Sequence, residues 1–532
     1  MTNVPTILIC LFVSFGGFLF GYDTGLISGL LEMDAFKADF GPGNGQDVTA
    51  PVSSLLVSIL SVGTFFGALI AGHLADSLGR RWAIICSSGV FLVGVALQTA
   101  SHSLALMIPG RVIAGLGVGL LSDLVPLYQA EAAPKHIRGT LVSTYQLAIT
   151  IGILVAFGVN QGLQGKNGRE AYRVPIAIQF FFGLFLGAGM FFLPDSPRNL
   201  LRLDRRADAE SALCRLRGRP MSDPVIQEEM TEMEDALALE AHLGEASFMD
   251  CFRGPNLRRT QIGIWLQMFQ QLTGVNAVFY YGTSFFKQAG ITQAYLSTTV
   301  TGVVNVLSTF PALYLMERMG RRKLLLMGSA IMLFAQIIVA SVGSAYPAKL
   351  APGTNDVISS DSNAGIVMIV FTCVFIFGFA SSWGPGAWVI SSEIFTLRVR
   401  SKSIALSVAS NWFWNFILGF VTPYLLKPDE ANLGPKIDFV WAACILAGMI
   451  YVYYMVPETS GLALEQVDEM FDSGIPPRKS AAFVPTRTAG AAGGASHQAM
   501  EFASKGGDGA GVNNNNNPGL NKRAASHDTM GA

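Results

Sequence analysis

Long apolar runs separated by short polar turns recur along the chain, at about residues 7–31, 53–74, 82–101, 104–128, 140–162, 174–193, 262–286, 296–317, 324–344, 366–392, 402–426 and 437–456. Each is about 20 residues or longer, the length an α-helix needs to cross the roughly 30 Å hydrocarbon core of a bilayer. The pattern predicts an all-α membrane protein with twelve transmembrane helices. The basic residues of the connecting loops gather on one side: Arg80 and Arg81, Lys135 and Arg138, Arg198 to Arg219, Arg321 to Lys323, and Arg398 to Lys402. The positive-inside rule makes that side cytosolic and predicts that both termini lie there.

One long polar insert, at about 194–260, interrupts the series, with acids such as Glu228, Glu229, Glu232, Glu234 and Asp235 beside Ala236, Leu237 and Leu239. Its mixed pattern predicts short amphipathic helices. The chain thus divides into a six-helix bundle at 1–193, a cytosolic helical linker at 194–260, a second six-helix bundle at 261–456 and a cytosolic tail at 457–532. From about Gly474 the tail turns to Gly, Ala, Ser and Pro with an asparagine run at 513–517, a composition that predicts disorder because it cannot bury a core.

Composition agrees with the membrane reading: 51% of the residues are hydrophobic and 14% charged, against roughly 25% charged in a soluble domain. A formal net charge of −1 supplies no field for nucleic acid. The six cysteines stand singly and the six histidines form no ligand cluster, so neither a disulfide framework nor a metal site or other cofactor is expected. No nucleotide loop or catalytic triad suggests an enzyme.

The halves repeat. Asp76-Ser-Leu-Gly-Arg80-Arg81 answers Glu317-Arg-Met-Gly-Arg321-Arg322 at an offset of 241. Glu131 and Arg138 answer Glu393 and Arg400 at 262, and Pro194-Asp195-Ser196 answers Pro457-Glu458-Thr459 at 263. Both halves begin on the same side of the membrane, so they are parallel repeats, an arrangement that places a substrate site between them near midplane.

Polar residues inside the spans mark candidate chemistry. Gln267, Gln270, Gln271 and Gly274 form one stripe on the seventh span, with Asn276 and Gln146 also intramembrane. Amides donate and accept without charge, which suits the hydroxyls of a neutral sugar. Asp23, in the stretch Gly16-Gly-Phe-Leu-Phe-Gly-Tyr-Asp-Thr-Gly25, needs a partner at that depth. Helix rise puts Asp23 about 24 Å from the cytosolic edge and Arg111 about 10 Å below the outer edge, so both lie in the outer third. Asp123, about 18 Å deeper than Arg111, is too far to pair with it and faces either an inner vestibule or a second coupling site. On the first helix Ser14, Gly17, Gly21, Thr24, Gly25 and Ser28 share one side, a close-packing face, and Asp23 points nearly opposite with Gly16 and Phe20.

The motifs Gly17 to Gly25, the two Gly-Arg-Arg loops, Gly110-Arg111, Pro194-Asp-Ser-Pro-Arg198, Gln270-Gln-Leu-Thr-Gly-Val-Asn276 and Pro457-Glu-Thr-Ser-Gly461 together resemble the sugar porter family of the major facilitator superfamily, over roughly 10–465. Asp195 stands where that family usually has Glu, and Ser460 where it usually has Lys. The resemblance implies a twelve-helix fold of two parallel-repeat bundles and an alternating-access carrier. It implies a hexose site at Gln146, Gln270, Gln271, Asn276, Asn305, Trp388, Asn411 and Trp412, with the indoles covering the apolar face of the ring. It also implies pairing of Asp23 with Arg111, and a cytosolic latch of Arg80, Arg81, Glu131, Arg138, Arg321, Arg322, Glu393 and Arg400. The substrate is expected to be a monosaccharide such as glucose, with a proton as co-substrate, in a plasma membrane of fungal type. A facilitative uniporter and a carrier-like sensor signalling through its tail stay open as alternatives.

Overall fold

The apolar runs fold as helices whose ends lie within a few residues of the sequence pattern, except where glycine and proline interrupt them. The computed structural model describes residues 4–42, 47–134, 137–166, 168–243, 247–291, 293–347, 349–350, 357–359, 362–396, 398–427, 429–462 and 464–484. The first span is α1 (Val4–Val13) continued by α2 (Phe15–Leu30), followed by a short α3 (Asp34–Phe40). The next five are α4 (Ala50–Leu78), α5 (Arg80–Ala100), α6 (Leu104–Ala132), α7 (Arg138–Leu163) and α8 (Glu170–Met190). The linker holds α9 (Pro197–Arg202), α10 (Arg206–Arg217) and α11 (Pro224–Leu243).

The seventh span is not one helix. It is split into α12 (Pro255–Leu272) and α13 (Val275–Gln288) at Gly274, whose φ of +83° lies in the left-handed region. A side chain there would also collide with the indole of Trp441, so the position favours glycine twice over. Eleven helices among the described residues are long and apolar enough to cross a membrane, and this broken one makes up the twelfth run of the pattern. The rest are α14 (Ala294–Met319), α15 (Arg321–Ala345), α16 (Ser362–Gly378), α17 (Gly384–Glu393), α18 (Arg400–Leu426), α19 (Ile437–Met455) and the amphipathic α20 (Leu464–Asp472). A π-helical turn at Phe379–Trp383 joins α16 to α17, so the tenth span is also irregular. Among the described residues the departure from all-helix is one short antiparallel pairing of Lys349–Leu350 with Val357–Ser359.

The small face of α2 packs backbone to backbone on α7. An added Cβ on Gly21 would lie 2.0 Å from the Ile149 carbonyl oxygen, and one on Gly17 2.6 Å from that of Tyr145. Gly16, on the other side, meets Val125 of α6. The first helix is therefore sandwiched between α7 and α6, as its small-residue stripe predicts.

The linker has its own small core of Leu200, Ala209, Leu213, Ile226 and Met230. Arg217 ties it to the bundle by donating to Thr6 Oγ1 at 3.1 Å and the Ala132 carbonyl at 2.8 Å, while pairing with Glu229. Order extends beyond the Gly474 boundary expected from composition. Ser480 is buried in a 3₁₀ turn at Pro477–Ala482, and its hydroxyl accepts from the Glu458 amide at 2.7 Å. The burial of one serine against a loop acid supplies what the low-complexity composition lacks. The asparagine run and the rest of the tail after residue 484 lie outside the described residues.

The α2–α7 contact leads to a stability prediction. Gly21→Ala should cost on the order of 1–3 kcal/mol, because backbone must move to admit a methyl group. Gly72→Ala, with nothing within 4 Å of the new carbon, should be close to neutral. Melting of the purified variants in detergent compares the two, and equal melting temperatures would show that the helices are free to separate.

Candidate functional site

The two irregular spans meet the first, fourth, fifth, eighth and eleventh around a cavity of about 610 Å³. Its wall includes all eight residues of the expected sugar site: Gln146, Gln270, Gln271, Asn276, Asn305, Trp388, Asn411 and Trp412. The wall also holds Phe20, Thr24, Ser122, Tyr145, Phe279 and Phe379, which the expected sugar site leaves out. The signal for Phe20 and Thr24 is their helical spacing around Asp23. Phe279 and Phe379 carry no sequence signal that separates them from other core aromatics.

An amide network shapes the polar side of this wall. Asn411 donates to Gln267 Oε1 and Gln270 Oε1, both at 2.7 Å. Gln271 donates to Asn411 Oδ1 at 2.9 Å and accepts from Asn276 at 2.6 Å and Asn415 at 3.2 Å. Gln270 Nε2 donates to the carbonyls of Trp383 and Gly384, both at 3.0 Å, at the end of the π turn. No hydrogen bond within the described residues engages the side-chain amides of Gln146 or Asn305, and the buried indole N–H of Trp412 is without a partner there. The cavity therefore combines a fixed network with unspent donors and acceptors, beside aromatic faces. That combination is chemically suited to an uncharged polyhydroxyl ring.

Asp23 lies behind this wall. Its carboxylate is fully buried, 3.6 Å from Arg111 Nη2, and neither oxygen has a hydrogen bond among the described residues. Gln179 of α8 faces the same carboxylate. On the same helix Phe20 and Thr24 reach the cavity, and Phe20 meets the Trp412 ring edge-on at 5.0 Å between centroids. Asp123 is half-buried next to Ser122, with no ion pair or hydrogen bond among the described residues.

At the arginine-rich face the repeat recurs as geometry. Arg80 pairs with Glu131 at 2.9 Å, and Arg321 with Glu393 at 3.0 Å. The amide of Arg81 donates to Asp195 at 3.1 Å, and that of Arg322 to Glu458 at 3.2 Å. Arg81 and Arg322 then spend their guanidinium groups on carbonyls at the ends of α8 and α19. The expected Glu131–Arg138 pair is not formed: Arg80 occupies the acid, being carried to it by the turn before α5. Thr459 donates to the second oxygen of Glu393 at 2.6 Å, and Ser460, in the lysine's place, accepts from Arg321 at 2.8 Å. Arg400 begins α18 at the same face.

The opposite face carries a cluster that the sequence reading overlooks. Glu32, just beyond α2, pairs with Lys287 at the end of α13 at 2.9 Å and with Lys37 at 3.4 Å, and it accepts from Ser284. Lys37 also pairs with Asp47 at 2.5 Å. Ser28 and Thr283 are 3.1 Å apart one turn deeper, and Tyr295 donates to the Gly29 carbonyl at 3.0 Å. These bonds join the first span to the seventh and eighth. Burial pushes the Glu32 carboxyl up, but Lys287, Lys37 and Ser284 outweigh it and hold the group below the usual carboxylate range. Four charges spread over 255 residues leave no local pattern to read.

A bundle of spanning helices around a neutral, amide-walled cavity defines a membrane carrier for a small polar solute. The family model described as sugar (and other) transporter matches residues 9–471. The chain is 43% identical to the probable glucose transporter rco-3 of Neurospora crassa, over 88% of this chain and 80% of that protein. It is equally 43% identical to the high glucose sensor RGT2 of Saccharomyces cerevisiae, over 88% of this chain but 61% of that longer protein. Among solved structures it superposes on the proton:xylose symporter XylE bound to 6-bromo-6-deoxy-D-glucose with a TM-score of 0.72 and 26% identity, covering 88% of this chain and 100% of that one. The chain belongs to the sugar porter family of the major facilitator superfamily. It is a multi-pass membrane protein of transporter type rather than an enzyme.

The Glu32 cluster has a pH signature. Because its folded pKa is depressed, its stabilisation is complete above the unfolded value of about 4.3 and is lost as pH falls through the lower folded value. Lys287→Ala should cost about 1–3 kcal/mol at pH 7, allowing for the partial exposure of the lysine. Melting curves between pH 3 and 8 should show the gap between parent and variant constant near neutrality and closing only in strong acid. A gap that closes already at pH 6 would contradict the assignment.

Proposed function

We propose that the chain is an alternating-access importer of a hexose, glucose or a close relative, in which sugar entry is coupled to a proton at Asp23. The reading rests on one observation: a buried Asp23–Arg111 pair without further hydrogen bonds stands one helix turn from the sugar cavity. Burial favours a neutral Asp23 and Arg111 favours a charged one, so a proton arriving from outside can exchange with the arginine. Protonation frees Arg111 and loosens α2 against α6. Phe20 and Thr24 carry that change to the cavity wall.

In this scheme 1–193 and 261–456 move as the two halves of the carrier, 194–260 links them, and 457–532 is the tail. The arginine-rich face is cytosolic, both termini lie there, and the membrane is the plasma membrane. Gln146, Gln270, Gln271, Asn276, Asn305, Trp388, Asn411 and Trp412 hold the sugar. The loop arginines with Glu131, Glu393, Arg138 and Arg400 form the inner gate, and the Glu32 cluster closes the outer one. The relatives' names support hexose transport and one proton symporter has the same fold, while the likeness to RGT2 keeps a sensor as the second reading.

Sugar added to cells expressing the chain should alkalinise an unbuffered medium, and Asp23→Asn should abolish that signal. Uptake indifferent to a protonophore would overturn the coupling and leave a uniporter, and the absence of any uptake with preserved sugar binding would favour the sensor. Gln271→Ala, which removes bonds to Asn276 and Asn411, should raise the half-saturation concentration about tenfold, equivalent to about 1.4 kcal/mol. Competition of labelled glucose by a panel of hexoses and pentoses measures it.

A further inference from the structure

A second cavity, of about 440 Å³, lies among α13, α15, α16, α18 and α19, apart from the sugar site. Asp438, in the first turn of α19, lines it and is 7% exposed. No ion pair or hydrogen bond within the described residues reaches its carboxylate. Gln336 of α15 lines the same cavity, is 2% exposed, and has an Oε1 without a partner.

The other polar groups of the wall are also acceptors. The hydroxyls of Thr372, Thr422 and Tyr281 spend their protons on the carbonyls of Met368, Leu418 and Gly419, at 2.8, 2.7 and 2.7 Å, so only lone pairs remain. The indole of Trp441 is the remaining donor group in the lining. A buried carboxylate among neutral oxygen acceptors, with no cationic partner, is the donor set of a positively charged ligand. The helix N-terminus beneath Asp438 favours its charge but supplies no more than a partial one. One carboxylate neutralises one charge, whereas divalent ions in proteins draw on several.

We propose that the Asp438 cavity is a binding site for one monovalent cation, a proton or an alkali metal ion, seated behind the break in the seventh span. The occupant is coupled to the sugar site through Gln336. Its Nε2 donates to the Thr273 carbonyl at 3.1 Å, a group left over at the break because the Ala277 amide turns to Gly274 instead. Trp441, one turn from Asp438, packs on Gly274 itself. The break separates Gln270 and Gln271 from Asn276. A charge drawn to Gln336 Oε1 and Asp438 therefore sets the angle between the two parts of the sugar wall.

The test uses the full chain in lipid nanodiscs, in the Asp23→Asn background so that titration at Asp23 cannot contribute. Melting temperature is read in sodium, potassium and choline chloride at equal ionic strength and fixed pH, and then across pH 5–8 in each salt. A rise of about 2–5 °C with sodium or potassium that Asp438→Asn removes assigns an alkali metal ion. A pH-dependent shift of that size, equal in all three salts and absent in Asp438→Asn, assigns a proton. Gln336→Met keeps the carboxylate and removes the second acceptor, and it should reduce either shift several-fold even if Asp438→Asn does not fold. Identical responses to salt and pH in parent and variants would overturn the proposal. Melting does not require transport, so failure of proton-coupled hexose import leaves this result readable.

Discussion

A backbone carbonyl or amide inside a bilayer has no water to turn to, so wherever a spanning helix breaks, another part of the protein must take up the freed groups. This chain breaks two spans near its centre, at Gly274 and at the π turn of Phe379–Trp383. Gln270 takes the carbonyls of Trp383 and Gly384, and Gln336 takes that of Thr273. Gln270 stands in the same network that walls the cavity, so there the polarity of the site and the irregularity of the helices have one cause. An all-helical seventh span would have been cheaper and would have left Gln270, Gln271 and Asn276 on a rigid rod.

The charges are placed by the same constraint in a different form. At the arginine-rich face Arg80 and Arg321 each meet an acid of their own half, and the two constellations repeat each other down to the amide that binds Asp195 or Glu458. At the opposite face Glu32 crosses from the first span to the seventh. The bonds that join the first span to the seventh and eighth thus lie toward one face, the kind of asymmetry that an alternating-access cycle would exchange for its mirror image.

Between the faces, α2 links the Asp23–Arg111 pair to the cavity and leads into the Glu32 cluster. Its glycine stripe rests on α7, Asp23 meets Arg111 of α6, Phe20 and Thr24 enter the cavity, and Ser28 and Glu32 reach α13 or its end. A helix that fits its neighbour backbone to backbone cannot deform gradually, so in the proposed cycle a change in charge at Asp23 would be felt as a shift of the whole element.

Much of this was legible in the residues. The twelve apolar runs, the repeat offsets, the Gln270–Gln271 stripe and the small face of α2 all follow from periodicity and from what a membrane tolerates, which are local properties of the chain. The Asp23–Arg111 pair followed from counting helix rise. What periodicity could not show was where a helix would stop being one, which arginine would claim Glu131, and that Glu32, Lys37, Asp47 and Lys287 would converge. Nor could it show that Asp438, Gln336 and Thr273 lie together. The sequence by itself determined which segments enter the membrane and which faces they bury, since apolar length and spacing decide that one helix at a time. The tertiary structure alone decided which distant polar groups satisfy one another, because inside the bilayer each must find its partner across the bundle, and no local pattern encodes that partner.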